Sequence, residues 1–399
     1  MKYIERPGYM QRLTDLRDTP DIKVITGVRK SGKSELVKAF IRRITETEPE
    51  ANIIFVDFCA PKHEKLKEYH ALYEHIESNY VSGRKNYVFI DEAQLCKNFE
   101  VAINSLHTSR KYDLYITGSN AFLLSSDLAT LFTGRYIKIH VFPFSFAEFC
   151  RYYADEKDTA KLFDDYIIKG GLAGSYEYRT ERDRTDYIRD VLGTIIKRDL
   201  ATQHRLPDTA ALERLTEFMT DNVSRLTSPN NISDMLSAGG VPANHKTVGS
   251  YIKYLCDAYV FYSVRRYDIR GKKYLKTSVK YYLSDAGIRF AGLGRRNLDY
   301  GRMCENIVAI ELMRRGYDVC VGKLYQKEVD FVATRGDEKI YIQVSDDISL
   351  KETYAREYEP LLKIKDAYPK LILANTRHPT YDYEGIEIHN LADWLLGKS

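Results

Sequence analysis

Short apolar runs alternate with segments whose apolar residues recur every three or four positions over the first ~145 residues. The runs IKVIT (22–26), NIIFVDF (52–58), NYVFID (86–91), YDLYIT (112–117) and YIKIHV (136–141) read as buried strands. KSELVKAFIRRITE and KNFEVAINSLHTS, which lie between them, read as helices. Apolar strands alternating with helices predict a parallel sheet covered on both faces. Residues 145–204 read as mostly helical, with a break at Gly170–Gly171. From about residue 205 the pattern changes. ALERLTEFMTDNV predicts one helix, and ISDMLSAGG and KTVGSYIKYLCDAY predict a pair split by a Gly-Gly-Val-Pro turn. VFYSVRRYDIRGKKYLKTSVKYYLSD then predicts two strands around a charged turn at Arg270–Lys273. Helix, helix, turn, helix, hairpin is the order of a winged helix. Past residue 300 come the amphipathic helix GRMCENIVAIELMRRG and the strands DVCVGKLY, EVDFVAT and KIYIQVS. A polar helix, KETYAREYEPLLKIKDAYP, and the strands LILANT and IEIHNL close the chain.

Composition narrows the class. A chain of 399 residues is long enough for several domains, and 44% hydrophobic with 29% charged residues is a globular balance. No apolar run approaches the ~18 residues of a membrane span, and MKYIERPGYMQRL lacks the apolar centre of a signal peptide. The six cysteines are scattered without a CxxC pair, which argues against zinc and disulfides and for a reducing cytoplasm. Net charge is +4 but uneven: Val241–Tyr325 holds about sixteen Lys and Arg against about seven Asp and Glu. That suits nucleic acid, and equally a solvated basic face.

Candidate chemistry begins at GVRKSGKS (27–34), which fits G-x-x-x-x-G-K-[ST] between a strand and a helix. Gly27 and Gly32 let the backbone curl so that its N–H groups face phosphate oxygens, and the following helix points its positive end at the same place. The stretch Gly27, Val28, Arg29, Lys30, Ser31, Gly32, Lys33, Ser34 and Glu35 is expected to line a nucleotide. Lys33 would reach the β- and γ-phosphates of ATP, and Ser34 would ligate Mg²⁺. YVFIDEAQ supplies Asp91, to hold Mg²⁺ through water, and Glu92, to polarise the attacking water. NIIFVDF falls between the two motifs, which suggests a strand inserted between their strands and favours hydrolysis over small-molecule phosphorylation. Thr117, Ser119 and Asn120 at the next strand end are candidates to sense the γ-phosphate or orient the water. Arg135, in LFTGRY, is a candidate arginine finger, in its own subunit or on a neighbour in a homo-oligomer.

GVRKSGKS, FIDEAQ, YITGSNAFLLS and LFTGRY…FPFSFAEF, in that order, resemble the prokaryotic AAA+-like ATPases related to the archaeal origin-recognition and signalling ATPases. GGLAGSY, IIKRDL, YYLSDAGIRFA, ENIVAIELMRRGYDV and EVDFVA…IYIQVSDD resemble the C-terminal domain of unknown function carried by members of that family. The resemblance implies an α/β chain with a P-loop parallel-sheet core at 1–145 and a helical lid at 146–204. It further implies a winged helix at 205–292 and a restriction-endonuclease-like α/β domain at 293–399.

A metal nuclease of that fold needs an acid on an early helix, an acid at a strand end and Glu-x-Lys on the next strand. Glu305 and Asp330 match the first two, but Gln343 and Ser345 stand where Glu and Lys would be. Gln343 offers a carbonyl oxygen without charge, and loss of a cationic stabiliser typically costs ~10²–10³ in rate. The domain is therefore expected to be an inactive nuclease fold, with Asp346 and Asp347 as candidate stand-in ligands. Lys246, Thr247, Ser250 and Lys253 on the second winged helix face one way, and Arg265, Arg266, Arg270, Lys272 and Lys273 surround the hairpin tip. They suit the phosphates of double-stranded DNA, or a protein partner. The function expected is a Mg²⁺-dependent ATPase whose nucleotide state controls a DNA- or partner-binding half; the alternatives are an active ATP-dependent nuclease in a defence or mobile-element context and a slow nucleotide switch that binds only protein.

Overall fold

A computed structural model describes residues 3–118, 132, 134–206, 208–238, 244–294, 299–349, 351–376 and 378–398. The chain divides into two compact units: one spans Tyr3–Phe142 with Asp257–Tyr259, the other most of Pro143–Ser399.

The first unit is a parallel sheet between helices. In chain order it holds α1 (Pro7–Asp15), β1 (Ile22–Thr26), α2 (Lys33–Thr47), β2 (Asn52–Asp57), α3 (Tyr69–Ser78), β3 (Asn86–Asp91), α4 (Phe99–Ser109), β4 (Asp113–Thr117) and β5 (Tyr136–His140). All pairings are parallel, in the order β2-β3-β4-β1-β5. Alternate residues feed two cores. Ile22, Val24, Val88, Ile90 and Ile116 pack with α3 and α4, while Ile25, Tyr87, Phe89 and Tyr115 pack with α1 and α2. Both faces are apolar because both are covered, which is why these strands read as continuous hydrophobic runs. One expectation needs correction. A strand is inserted between β1 and β3, but it is β4; NIIFVD forms β2 at the sheet edge.

The second unit begins with α5 (Phe146–Tyr152), α6 (Thr159–Lys169) and α7 (Glu181–Thr194), the last continuing as a π-helical stretch at Ile195–Leu200. Short α8 (Ala201–His204) follows, then α9 (Ala210–Asp221), α10 (Pro229–Ala238), α11 (His245–Asp257), β6 (Phe261–Asp268), β7 (Lys273–Leu283), α12 (Ala286–Leu293) and α13 (Tyr300–Arg314). The turn between α10 and α11 lies outside the described residues. The chain ends with β8 (Asp318–Leu324), β9 (Lys327–Arg335), β10 (Glu338–Ser345), α14 (Lys351–Leu362), β11 (Lys370–Ala374), β12 (Tyr381–Tyr383), β13 (Ile386–Asn390) and α15 (Leu391–Leu396). Strands β6 to β13 form one sheet, ordered β12-β13-β11-β10-β9-β8-β6-β7. The β6–β7 hairpin thus continues edge to edge into the C-terminal strands through the parallel pair β6–β8, across the expected boundary at 292/293. No described helix is long and apolar enough to cross a membrane.

Candidate nucleotide site

The loop between β1 and α2 is built for close approach. Gly27 has φ +147°, and a Cβ there would lie 2.1 Å from the Val141 carbonyl oxygen, so only glycine fits. Gly32 caps α2 at φ +95°, and Lys30 also takes the left-handed region. Lys33 is buried, its Nζ donating to the carbonyls of Gly27 and Val28 at 3.0 Å each. The Ser31 hydroxyl is buried with no hydrogen-bond partner. An unpaired buried hydroxyl inside a glycine-curled loop fits a phosphate oxygen. Val28 is buried, Arg29 half-buried and Lys30 exposed. Glu35 turns to solvent and pairs with Lys38 at 3.0 Å, so the loop-facing residues end at Ser34.

Two carboxylates close the site from β3. Asp91 is 3% exposed at the C-terminal end of the strand, and Ser34 and Thr117 both hydrogen-bond to it. Burial pushes the Asp91 carboxyl up, and those two bonds counter the shift. Glu92 follows at φ +56°, a left-handed conformation costly for a residue with a Cβ. Its N–H donates to Thr117 Oγ1 at 3.0 Å, and its carboxylate accepts from the Gln94 amide. Thr117 therefore touches both acids. It can do so because β4 lies between β1 and β3, with Thr117 in register with Ile25 of β1.

Ser119 and Asn120 lie outside the described residues. Arg135 is exposed and directly precedes β5, where its carbonyl accepts the Ile22 N–H at 2.9 Å. That is the start of β1 and β5, whereas the loop follows the end of β1. A strand of five residues, roughly 17 Å, separates Arg135 from the loop. Arg135 thus lies away from the loop of its own chain.

Sequence reasoning missed Arg6. Its buried guanidinium donates to the Ser31 carbonyl at 3.1 Å and the Phe142 carbonyl at 2.9 Å, and stacks 4.4 Å over the Tyr9 ring. It ties the phosphate loop to the segment after β5. MKYIERPGYMQRL carries no local signal for this, since both partners are distant in sequence.

In the second unit, Glu305 on α13, Asp330 on β9 and Gln343 on β10 meet. Asp330 donates its N–H to Gln343 Oε1 at 2.8 Å, and its Oδ2 accepts from Val344 at 2.9 Å. Gln343 Nε2 donates to Glu357 of α14 at 2.7 Å. Burial raises the Glu305 carboxyl, and raises Asp330 strongly, with Glu305 beside it adding to the shift. The expected absence of a cation is corrected: Lys280 of β7 reaches Glu305 at 2.9 Å and Glu328 at 2.5 Å. A lysine inside an otherwise apolar strand, SVKYYL, was the available signal. Neither stand-in acid joins Glu305 and Asp330 as a ligand: Asp346 is exposed, and Asp347 accepts from the Ser349 N–H and hydroxyl at 2.7 and 2.8 Å. Ser345 bonds to the Asp347 carbonyl. Among the described residues, no three His, Cys, Asp or Glu side chains are grouped to hold a metal ion.

Lys246, Thr247, Ser250 and Lys253 are exposed on one side of α11, opposite buried Val248, Ile252 and Leu255. Arg265, Arg270, Lys272 and Lys273 are exposed on the hairpin. Arg265 stacks 4.7 Å over exposed Tyr274, and Arg270 5.2 Å over exposed Tyr325. Arg266 departs from this face: it is half-buried, and its Nε lacks a hydrogen-bond partner.

Comparison with known proteins agrees with the first unit. Residues 19–150 match the family model described as an AAA domain, and residues 160–299 match a domain of unknown function, DUF8612. An uncharacterized protein of Haemophilus influenzae is 37% identical over 98% of both chains. An uncharacterized protein of Methanocaldococcus jannaschii is 28% identical over 92% of this chain and 83% of its own. Among solved structures, the Walker-type ATPase of Pyrococcus abyssi aligns over 73% of this chain and 96% of its own, at 15% identity and a TM-score of 0.48.

Proposed function

Because the chain belongs to a family of AAA-type P-loop ATPases that carry a C-terminal domain of unknown function, we propose that it hydrolyses ATP with Mg²⁺ and that its nucleotide state controls a DNA-binding C-terminal half. The observation that carries the hydrolytic part is Thr117 joined to both Asp91 and Glu92 beside the Gly27–Ser34 loop. Loop N–H groups and Lys33 would hold the β- and γ-phosphates, and Ser34 and Asp91 would hold the metal, which would supply charge neutralisation. Lys33 would exchange the Gly27 and Val28 carbonyls for phosphate oxygens. Glu92 is the general base and orients the attacking water; Thr117 fixes its backbone, and Gln94 holds its carboxylate. Arg135 is the candidate finger for a neighbouring subunit. The domain division expected from sequence is kept as part of this reading: core, helical lid, winged helix and endonuclease-like fold. The helix–helix–helix–hairpin order of α9 to β7 supports the third part, and the order α13, β8 to β10, α14, β11 the fourth.

The test is ATP hydrolysis by the purified chain with Mg²⁺, with and without double-stranded DNA, across a salt series. Glu92→Gln should lower kcat by about 10²–10⁴ while nucleotide binding persists, and Lys33→Ala should abolish nucleotide binding. Wild-type turnover unaffected by Glu92→Gln would sink the assignment. The same reactions run on a gel decide between the two rivals. Cut DNA favours the ATP-dependent nuclease. Hydrolysis indifferent to DNA and salt favours a switch for protein partners.

A further inference from the structure

Lys280 is a fixed cation at the meeting point of three acids, and neither the nucleotide site nor the surface cations use it. It is 4% exposed. Its Nζ lies 2.9 Å from Glu305 Oε1, 2.5 Å from Glu328 Oε1 and 3.9 Å from Asp330 Oδ1. The acids come from α13 and β9, the cation from β7. Tyr282, two residues on and so on the same face of the strand, donates to the same Glu305 Oε1 at 2.6 Å. Polar atoms of Asp330, Gln343 and Glu357 beside the cluster are occupied too. Asp330 Oδ2 takes the Val344 N–H, and the Gln343 amide spans from the Asp330 N–H to Glu357. Glu357 is itself paired with Arg356 at 2.7 Å.

We propose that the Lys280 ammonium occupies the divalent-cation position of this acid cluster, so that the C-terminal domain carries its own cation and binds no Mg²⁺ or Mn²⁺ there. The choice of displaced ion rests on the endonuclease-like layout above; the occupancy rests on the contacts alone. Converging carboxylates, Glu305 buried and Glu328 and Asp330 half-buried, need a cation, because like charges this close cannot all stay ionised without one. A divalent metal would supply that charge and also a Lewis acid for phosphodiester cleavage. An ammonium supplies one charge and hydrogen bonds, and it cannot lower the pKa of a water to make hydroxide. It also comes tethered. With Lys280 in place, the β6–β7 hairpin is pinned to α13 and β9 by an ion cluster as well as by strand pairing. Gln343 follows from the same logic: with a lysine already present, a neutral amide that satisfies Asp330 and Glu357 is preferable to another carboxylate.

The full-length protein without nucleotide tests this by thermal melting and by Mn²⁺ electron paramagnetic resonance. The wild type should melt at the same temperature in EDTA and in millimolar Mn²⁺, and its Mn²⁺ titration should show no site lost in Glu305→Gln. Lys280→Ala should lower the melting temperature by on the order of 10 °C in EDTA. Mn²⁺ should return at least half of that, and adding Asp330→Asn should abolish the recovery. A wild-type Mn²⁺ site that disappears in Glu305→Gln overturns the proposal. So does a Lys280→Ala or Lys280→Met protein that keeps the wild-type melting temperature without metal, or a folded Lys280→Ala protein that ignores Mn²⁺. Should Lys280→Ala not fold, Lys280→Gln and the wild-type titration decide. DNA cleavage by the wild type without a metal site at Glu305 would overturn the functional reading and leave this one standing.

Discussion

Asp285 shows what one residue holds together and at what cost. It caps α12, with Oδ1 accepting the Gly287 N–H at 2.9 Å and Oδ2 the Gly171 N–H at 2.5 Å. The SDAG and GGLAGSY stretches therefore meet although 114 residues separate the bonded pair. A Cβ at Gly170 would lie 2.0 Å from Asp285 Oδ1, which accounts for that glycine. Burial pushes the carboxyl from 3.8 up to about 6 against the pull of the surrounding N–H groups. The folded state thus binds this proton more tightly than the unfolded one. The group's stabilising contribution is complete below about pH 4 and is lost as pH rises through about 6, a swing of about 3 kcal/mol. Denaturant melts of the wild type and Asp285→Asn across pH 4 to 7 should show a slope in their difference over that window. The asparagine protein should be less stable at about pH 4, since its amide nitrogen cannot accept an N–H bond as the carboxyl's second oxygen can, and the gap should narrow toward about pH 7. A pH-independent difference would mean that the carboxyl is not raised.

At the scale of elements, the strand order gives β4 two tasks. Its C-terminal end supplies Thr117. Its N-terminal end supplies Asp113, which pairs at 2.5 Å with Lys23, a lysine with no exposed surface near the start of β1. The Lys23 Nζ also donates to the Thr19 carbonyl at 2.6 Å. Lys23→Ala would leave the half-buried Asp113 without its cation and should destabilise the first unit by about 3 kcal/mol, whereas Lys23→Ala with Asp113→Ala should recover part of the loss. Equal losses in the single and double variants would show that the pair is not coupled. This order was only half legible beforehand. An inserted strand followed from the motifs, but NIIFVD and DLYIT are apolar runs of similar length, and nothing local says which lies inside. The phosphate loop and the Asp91–Glu92 pair were legible because their residues are contiguous and sit where a strand meets a turn. Arg6, Lys280 and the Asp285–Gly171 bond were not, because each acts across a long gap in sequence.

For the whole molecule, the question is whether the proposed DNA binding responds to the bound nucleotide. Six exposed cations, Lys246, Lys253, Arg265, Arg270, Lys272 and Lys273, stand on α11 and the hairpin, and exposed Tyr274 and Tyr325 lie beneath two of the arginines. Contacts to phosphates release counterions, so log K should fall with log salt by about 0.9 for each phosphate neutralised. Replacing Arg270, Lys272 and Lys273 together with alanine removes up to three such contacts and should flatten the slope by roughly two to three units. These residues are exposed, so melting temperature and DNA-free ATP hydrolysis should stay at wild-type values. If nucleotide state governs the proposed DNA binding of the C-terminal half, ATP bound to Glu92→Gln and ADP bound to the wild type should give different DNA affinities. Lys33→Ala should show one affinity whatever nucleotide is added. A triple variant with an unchanged salt slope would remove the hairpin from the interface. One DNA affinity in every nucleotide state, with the hairpin engaged, would show that binding and hydrolysis are independent functions of one chain.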